Sequence, residues 1–418
     1  MIAEGPEVRP LRALDALDHD PLRRELTLEY LLFDAFVAGQ RRVDVHPLVL
    51  PIALHQAAVR AAEEVVAGVG AVARRALFDE EERARYRLHD EVIALARASH
   101  RAGDDASLMR VDLLLDEHGA WRACEINADC PGGHNEAHGL PRLARSAGFY
   151  DGTNPTFVVP ALVERIAELA ARPDGSTGTC ALLYATAYAE DLQICALLKR
   201  ALDKRGVRAV LCAPTAPRLL GDHLTVRGER VDVLYRFFPA EYMEGQRNVG
   251  DVIRAVEAGK VRTISGFSHV YTQSKLAFAR AWDAGFHAHL PATFELGDVA
   301  RDDLLANRAR WVLKRAFGRV GDQVFVGALA SDEDWASIVA EVLLLEAAGE
   351  SWIAQEFVPQ RAIATHLGPR LVTLGAYVLD GRFVGYFSRV SRESHVSHDA
   401  LCLPVFVARG PRDARGGP

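Results

Sequence analysis

Two carboxylates, an amide and an arginine lie close together between residues 109 and 127. The runs MRVDLLLD and WRACEIN are apolar-rich and of strand length, and the DEHG between them predicts an antiparallel hairpin with a two-residue loop. Because side chains alternate along a strand, Arg110 and Asp112 share one face. Glu125 and Asn127 likewise share a face, and either placement of the loop within DEHG puts both pairs on the same side. This pattern is typical of a cation and phosphate site, and oxygen ligands of these kinds suit Mg²⁺.

The loop after the second predicted strand consists of small residues. Pro131, Gly132 and Gly133 follow directly, so the backbone there can approach a ligand closely. The competing interpretation is an ordinary hairpin whose scattered charges face solvent.

Lysine is scarce in this chain, and two of its lysines lie in informative places. Only five of the 49 basic residues are lysines, so a lysine that is retained suggests a need for a compact point charge. Lys314 ends a strand-like run, and Gly318 and Gly321 follow in a loop before the next run, QVFVG. Such a hairpin can fold over a triphosphate with its N–H groups pointing at the oxygens, although an unadorned hairpin is the alternative. Lys275 opens a predicted helix, where a surface lysine is the competing interpretation.

The segment EINADCPGGHNEA resembles the synthetase domain of glutathionylspermidine synthase and its relatives, which are circularly permuted ATP-grasp ligases. The resemblance implies that Asp112, Glu125 and Asn127 bind magnesium and that Arg110 stabilises the transferred phosphoryl group. The polyamine-conjugating members have serines where Cys130 and Gly132 stand here, so the acyl substrate is left open. The resemblance assigns no role to Cys130, His134 or Glu136.

The same resemblance extends to the second half of the chain. It implies that Lys275 and Lys314 contact ATP and that Gly318 and Gly321 belong to the loop that covers it. In SWIAQEFVP the backbone of the hinge is expected to read the adenine edge; its residues are Gln355, Glu356, Phe357 and Val358. Arg389 falls where the family has an arginine that contacts phosphate or the acyl intermediate, with Arg392 as the alternative. His395 and His398 are interpreted as loop or substrate-side residues.

The order of these motifs predicts a permuted chain, because the metal hairpin precedes both lysines. The expected fold is α/β (α+β): a circularly permuted ATP-grasp fold with a small parallel-sheet pre-ATP-grasp domain and a helical N-terminal region. The expected divisions are residues 1–100 (helical region), 101–172 (metal hairpin and following helices), 173–270 (βαβ domain), 271–408 (nucleotide-binding lobe) and 409–418 (a disordered tail).

Composition agrees with a globular enzyme without selecting one. The 418 residues are 49% hydrophobic and 25% charged, with a net charge of −7, so nucleic acid is not an expected partner. The sequence shows neither a signal peptide nor an 18-residue uncharged apolar run, which predicts a cytoplasmic protein without membrane association. The six dispersed cysteines indicate reduced thiols. A homodimer is a family-level expectation.

The resemblance implies an ATP-dependent carboxylate–amine ligase that forms an amide or peptide bond through an acylphosphate. ATP and Mg²⁺ are the expected cofactors, and the partners are a small carboxylate, expected to be an amino acid or short peptide, and an amine. Two alternatives remain open at this point: a phosphotransferase with the same ATP site, and a non-catalytic nucleotide-binding module.

Overall fold

The computed structural model of the protein describes residues 21–33, 35–37, 40–318, 323–392 and 400–409. Three predicted site or loop residues, Gly321, His395 and His398, lie outside these ranges. Most of the predicted tail, residues 410–418, does so as well.

The helices within the described residues are α1 (Pro21–Leu28), α2 (Ile52–Ala73), α3 (Glu80–Arg85), α4 (Asp90–Arg101), α5 (His134–Ser146), α6 (Val158–Ala170), α7 (Ala189–Arg205), α8 (Val249–Glu257), α9 (Val270–Gln273), α10 (Leu276–Asp283), α11 (Arg301–Ala306) and α12 (Asp332–Ala347).

The strands within the same ranges are β1 (Phe36–Val37), β2 (Gln40–Arg41), β3 (Leu48–Leu50), β4 (Leu108–Leu115), β5 (Trp121–Asn127), β6 (Thr179–Tyr184), β7 (Arg208–Cys212), β8 (Arg218–Leu220), β9 (His223–Val226), β10 (Glu229–Arg230), β11 (Val233–Phe237), β12 (Arg262–Ile264), β13 (Thr293–Glu295), β14 (Trp311–Arg315), β15 (Val324–Val326), β16 (Trp352–Glu356), β17 (Ile363–Thr365), β18 (Gly368–Leu379), β19 (Arg382–Ser391), β20 (Leu401–Leu403) and β21 (Val405–Val407).

The central sheet is antiparallel and has the order β20, β19, β18, β4, β5, with β17 paired to β18. Strands β18 and β19 are joined by the two-residue turn Asp380–Gly381, in which both residues have positive φ, as a type I′ turn requires. This confirms the hairpin predicted from Asp-Gly. In the register of the sheet, Gly375 lies opposite Asp112 on one side and Phe387 on the other.

The β4–β5 hairpin forms as predicted, but its loop is longer than predicted. Leu115 pairs with Trp121, and the Asp116 N–H donates to the Ala120 carbonyl at 2.8 Å, so the loop has three residues and the expected two-residue loop is wrong. The physical reason is the Asp116 carboxylate, which accepts hydrogen bonds from the N–H groups of His118 (3.1 Å) and Ala120 (2.7 Å). A side chain that caps its own loop stabilises this longer connection.

A β-bulge at Cys124 compensates for the extra loop residue. Leu113 pairs with Ala123, whereas Asp112 pairs with Glu125, so Cys124 is the inserted residue. Without the bulge, Glu125 would lie on the face opposite to Asp112. The bulge restores the predicted arrangement, in which the two pairs share one side of the hairpin. It sets Arg110 opposite Asn127 and Asp112 opposite Glu125.

The other face of the central sheet packs on α2. This 22-residue helix follows Pro51 and consists largely of alanine and valine, which bury a small-residue face. Val111 and Leu113, which alternate with the polar residues of β4, belong to the same apolar core as Val65. The Trp121 indole N–H donates to the Leu54 carbonyl at 3.0 Å and fastens the helix to the hairpin.

Two further sheets flank this centre. The sheet β12, β11, β6, β7 is parallel throughout, and its β6–α7–β7 unit confirms the predicted βαβ element. The sheet β13, β16, β14, β15 is antiparallel and confirms the predicted β14–β15 hairpin after Lys314. Within the described part of the chain, no helix combines the length and apolar character needed to cross a bilayer.

Candidate active site

Asp112 lies at the centre of a cluster of charged groups on the face of the central sheet that is turned away from α2. The Arg110 guanidinium donates to both of its oxygens, Nε to Oδ1 at 2.6 Å and Nη2 to Oδ2 at 3.0 Å. Arg389, which lies two strands away on β19, donates from Nη2 to the same Oδ2 at 3.1 Å. The predicted catalytic arginines therefore both meet at one carboxylate.

The remaining two predicted metal ligands converge on the same point from β5. The Asn127 Nδ2 donates to Glu125 Oε1 at 2.9 Å and lies 3.5 Å from Asp112 Oδ2. The Asn127 amide end thus contacts one oxygen of each carboxylate, and a rotated amide would present its oxygen there instead. A set of two carboxylates and one amide with this convergence fits Mg²⁺, which takes one or two protein carboxylates and completes its shell with water and phosphate oxygens. The Glu125 side chain keeps 28% of its surface accessible, which leaves a side open to a ligand.

The charge of Glu125 is secured by its surroundings. Burial alone would raise its pKa, but the nearby cations Lys275, Lys314, Arg110 and Arg389 outweigh this effect and hold the pKa of Glu125 well below its ordinary value. Burial would likewise lower the pKa of Arg110, yet the adjacent Asp112 carboxylate raises it. Both groups are therefore ionised at neutral pH.

The two predicted ATP lysines lie beside this cluster. Lys275 is the residue before α10; its Nζ is 3.5 Å from Glu125 Oε2 and donates to the Gly318 carbonyl at 2.7 Å. Lys314 on β14 donates to the carbonyl of the bulged Cys124 at 3.0 Å and to Gln355 Oε1 at 2.7 Å. Burial lowers the pKa of Lys314, while the nearby Cys124 and Glu125 partly offset this effect.

Two backbone N–H groups of the segment predicted to read adenine already donate hydrogen bonds within the protein. The N–H of Glu356 donates to the Ala292 carbonyl at 2.8 Å, and that of Phe357 donates to the Arg310 carbonyl at 2.7 Å. The Glu356 carboxylate pairs with the Arg310 guanidinium at 2.7 Å. Val358 follows directly and is largely buried. The Gln355 side chain has a role that the sequence did not indicate, because it holds Lys314.

Gly375 makes room for Arg110. A Cβ atom at this position would lie 2.7 Å from Arg110 Cδ and 3.0 Å from its Nε. The guanidinium also donates from Nη1 to the Gly132 carbonyl at 3.0 Å, and the Tyr377 hydroxyl donates to the same carbonyl. The glycine loop is thus tied to the site through Gly132.

Three residues that sequence reasoning did not single out fix the backbone after Asn127. The Gln273 Oε1 accepts hydrogen bonds from the N–H groups of Ala128 (2.7 Å) and Asp129 (3.0 Å). The Asp129 carboxylate pairs with Arg236, and both side chains are fully buried. The only sequence signals were the position of Gln273, two residues before Lys275, and that of Asp129 within Asn-Ala-Asp.

The three residues without an assigned role lie in α5 or just before it. His134 is its first residue and is fully buried; burial, with Arg110 adding to it, lowers the pKa of His134 to about 3. Its imidazole is therefore neutral, and its Nε2 lies 3.4 Å from the Tyr235 hydroxyl. Glu136 is buried and Cys130 is half-buried. Arg392, the alternative to Arg389, is exposed.

Comparison with known families identifies one family that matches most of the chain. The profile of the family described as glutathionylspermidine synthase preATP-grasp matches residues 53–408, a span that contains the hairpin, both lysines and Arg389. The matched family defines the class of the protein as an ATP-dependent ligase. More specifically, the chain belongs to the glutathionylspermidine synthase family.

Two solved structures are similar to the chain at low identity. A glutathione synthetase-like effector, GSS30, from Globodera pallida in its apo form is 12% identical, with a TM-score of 0.57 over 94% of this chain and 99% of that chain. A Methylobacillus flagellatus KT protein assigned as a gamma-glutamylcysteine synthetase is also 12% identical, with a TM-score of 0.44 over 85% of this chain and 88% of that chain. The first likeness supports the mixed α/β fold alone. None of the curated proteins compared with the chain matches it. The circular permutation and the domain divisions stay predictions.

Proposed function

We propose that the protein joins a carboxylate to an amine through an acylphosphate, with ATP as the phosphoryl donor. The observation that carries this proposal is the convergence of side chains from four parts of the fold on one point. The hairpin supplies Asp112, Glu125 and Asn127, β19 supplies Arg389, and Lys275 and Lys314 approach from the nucleotide-binding side. Phosphoryl transfer calls mainly for positioning and charge neutralisation, which this set provides.

The residues divide the work by their charges. Lys275 and Lys314 are placed to bind phosphate oxygens, and exchanging their contacts with Gly318 and Cys124 for phosphate would leave both lysines hydrogen-bonded. Asp112, Glu125 and Asn127 would hold Mg²⁺, which supplies charge neutralisation on the phosphate oxygens. Arg110 is fixed by Asp112 and Gly132, so its guanidinium is preorganised for charge on the transferred group.

The proposed reaction has two balanced steps. An oxygen of the substrate carboxylate attacks the γ-phosphorus of ATP, the bond to the β-phosphate oxygen breaks, and ADP leaves. The lone pair of the amine then attacks the acyl carbon, phosphate leaves with its oxygen, and one proton passes to solvent. Arg110 and Arg389, which both donate to the Asp112 carboxylate, also lie over the Phe387 ring at 5.2 and 5.9 Å.

The loop after Asn127 is the part of the site that we expect to select the carboxylate substrate. Gly132 already uses its carbonyl to accept hydrogen bonds from Arg110 and Tyr377, so it orients the arginine. Cys130 gives this loop a thiol where the polyamine-conjugating relatives have a hydroxyl. We therefore propose an amino acid or a short peptide as the carboxylate, and a cytoplasmic location in keeping with such substrates.

An ADP-release screen tests the proposal. Purified protein with Mg²⁺ and ATP is incubated with pairs of amino acids and amines, and products of active pairs are identified by mass. Amine-dependent ADP release with an amide product supports the ligase, whereas amine-independent release with a phosphorylated product shows a phosphotransferase. Nucleotide binding without turnover on any pair would favour the non-catalytic alternative. Glu125→Gln is the matched control, because it keeps the shape of the residue and removes its charge.

A further inference from the structure

Three potential metal ligands lie together at the edge of the central sheet. In the sequence they are distant from the residues of the candidate active site. Asp44 follows β2, His46 is two residues further, and His366 lies in the turn between β17 and β18. Their ligand atoms all lie within 4.8 Å of one another. We call this set the Asp44 cluster.

The contacts of the cluster all centre on the carboxylate. The His46 Nδ1 lies 2.9 Å from Asp44 Oδ1, and the His366 Nε2 lies 3.2 Å from Oδ2. The two imidazole rings are stacked, with centroids 3.9 Å apart and planes 12° from parallel. Because a metal ion lies near the plane of each imidazole that binds it, one of the two rings must turn when an ion binds. Two segments that are 320 residues apart in the chain therefore present one nitrogen each to a single carboxylate.

The carboxylate of the Asp44 cluster is buried, whereas its two imidazoles are partly exposed. The Asp44 side chain keeps only 2% of its surface accessible, while His46 and His366 keep 27% and 24%. The carboxylate is thus fixed in the protein, and the imidazole side stays open to entry from solvent. Phe149 packs against the His46 ring, with centroids 5.0 Å apart, and covers one flank.

One cation competes for the carboxylate. The Arg41 Nη2 donates to Asp44 Oδ2 at 2.7 Å, and the His46 N–H donates to Oδ1 at 3.1 Å. Arg41 is 31% exposed and can release Oδ2 by turning toward solvent.

We propose that the Asp44 cluster binds one divalent transition-metal ion of the zinc type. Two imidazole nitrogens and one carboxylate form a donor set that suits zinc, cobalt or nickel rather than Mg²⁺, and water would complete a four-coordinate shell. This site is separate from Asp112, Glu125 and Asn127. Its ion would fasten the segment 41–46 to the β17–β18 turn.

The cluster also borders the candidate active site through the sheet. The Asp44 N–H donates to the Cys402 carbonyl at 2.9 Å, and Cys402 pairs with Arg389 across β20 and β19. An ion in the Asp44 cluster would therefore hold the sheet edge next to the strand that carries Arg389.

Metal titration of the full chain tests the inference without reference to activity. We expect Zn²⁺ to bind at one site and to raise the melting temperature of the protein. Co²⁺ should replace Zn²⁺ there and show the visible absorption of four-coordinate cobalt. His46→Ala and His366→Ala should each weaken zinc binding at least about tenfold. Loss of a residue that only hydrogen-bonds to a metal ligand already lowers metal affinity by about that factor. His118→Ala is the matched control, because this imidazole is exposed and lies on the β4–β5 loop.

A further variant separates a metal site from a plain ion-pair network. Arg41→Gln removes the competing cation, so zinc should bind more tightly to this variant if the carboxylate is a ligand. The inference is overturned if zinc does not bind at micromolar concentration. It is also overturned if zinc binds equally to wild type, His46→Ala and His366→Ala.

Discussion

Replacing Gly375 by alanine tests whether the fixed position of Arg110 is what the site depends on. A Cβ at residue 375 would lie 2.7 Å from Arg110 Cδ and 3.0 Å from the Phe387 carbonyl oxygen. Carbon atoms in contact are ordinarily about 3.5–4.0 Å apart, so Arg110 would have to retreat by roughly 1 Å. The retreat would disturb its two hydrogen bonds to Asp112.

The expected effect on turnover is much larger than the effect on stability. A displacement of about 1 Å at a catalytic group can cost on the order of a hundredfold in rate. Overpacking by one methyl group costs about 1–3 kcal/mol of the free energy of unfolding, which a folded protein of this size tolerates. ADP release with an active acid–amine pair and urea unfolding measure the two quantities. Gly297→Ala is the control, because its Cβ would meet only the Glu346 carboxylate at ordinary contact distances of 3.7 and 3.9 Å.

A double-variant cycle then shows whether the loss passes through Arg110. If displacement of the arginine is the cause, Gly375→Ala should cost less than about threefold in an Arg110→Ala background, since coupled residues are not additive. A full hundredfold further loss in that background would refute the reasoning, as would unchanged turnover of Gly375→Ala alone.

Three other variants test the charges of the site. Glu125→Gln should abolish ADP release and keep the fold. Because the pKa of Glu125 is lowered on folding, wild type should lose stability relative to this variant as pH falls below about 4. Acid titration monitored by circular dichroism measures this difference. Lys314→Met should weaken nucleotide binding, measured by calorimetry, without lowering the melting temperature. Because folding lowers the pKa of Lys314, wild type should gain stability relative to this variant as pH rises toward about 10. Asp129→Asn should cost about 3–5 kcal/mol in urea unfolding because it leaves the Arg236 charge buried; a loss below about 1 kcal/mol would contradict that role.

The strands and their faces could be predicted because the alternation of side chains is local. The apolar positions of β4 and β5 face α2, and the polar positions between them face the site, as period two requires. The Asp380–Gly381 turn follows from residue types that tolerate positive φ. These features need no knowledge of distant parts of the chain.

The loop and the bulge of the first hairpin could not be predicted in the same way. The loop length depends on the Asp116 side chain accepting hydrogen bonds from His118 and Ala120, which competes with a shorter turn. The bulge depends on Cys124 having partners outside the hairpin, because Lys314 binds its carbonyl and β5 is an edge strand. The predicted placement of Asp112 and Glu125 on one side of the hairpin is present only because these two departures cancel.

Contacts across long sequence distances were the least predictable part. Gln273 lies 145 residues from Ala128, yet it binds the backbone that follows Asn127. Arg236 reaches Asp129 from another sheet. A single sequence does not indicate such pairs. Every buried polar residue needs a hydrogen-bond partner, and the sequence contains many residues that could be that partner.

The bulge at Cys124 also explains how the hairpin and the nucleotide-binding strands can act together. A regular ladder would direct the carbonyl of residue 124 along the hydrogen bonds of the sheet, whereas the inserted residue leaves it free to accept from Lys314 at 3.0 Å. Lys275 is tied to the same hairpin through Glu125, and Gln273 is tied to it two residues earlier in the chain. Each lysine is therefore positioned by β5, the strand that carries Glu125 and Asn127. A change in that strand would move the proposed metal and phosphate contacts together, so neither can be altered alone.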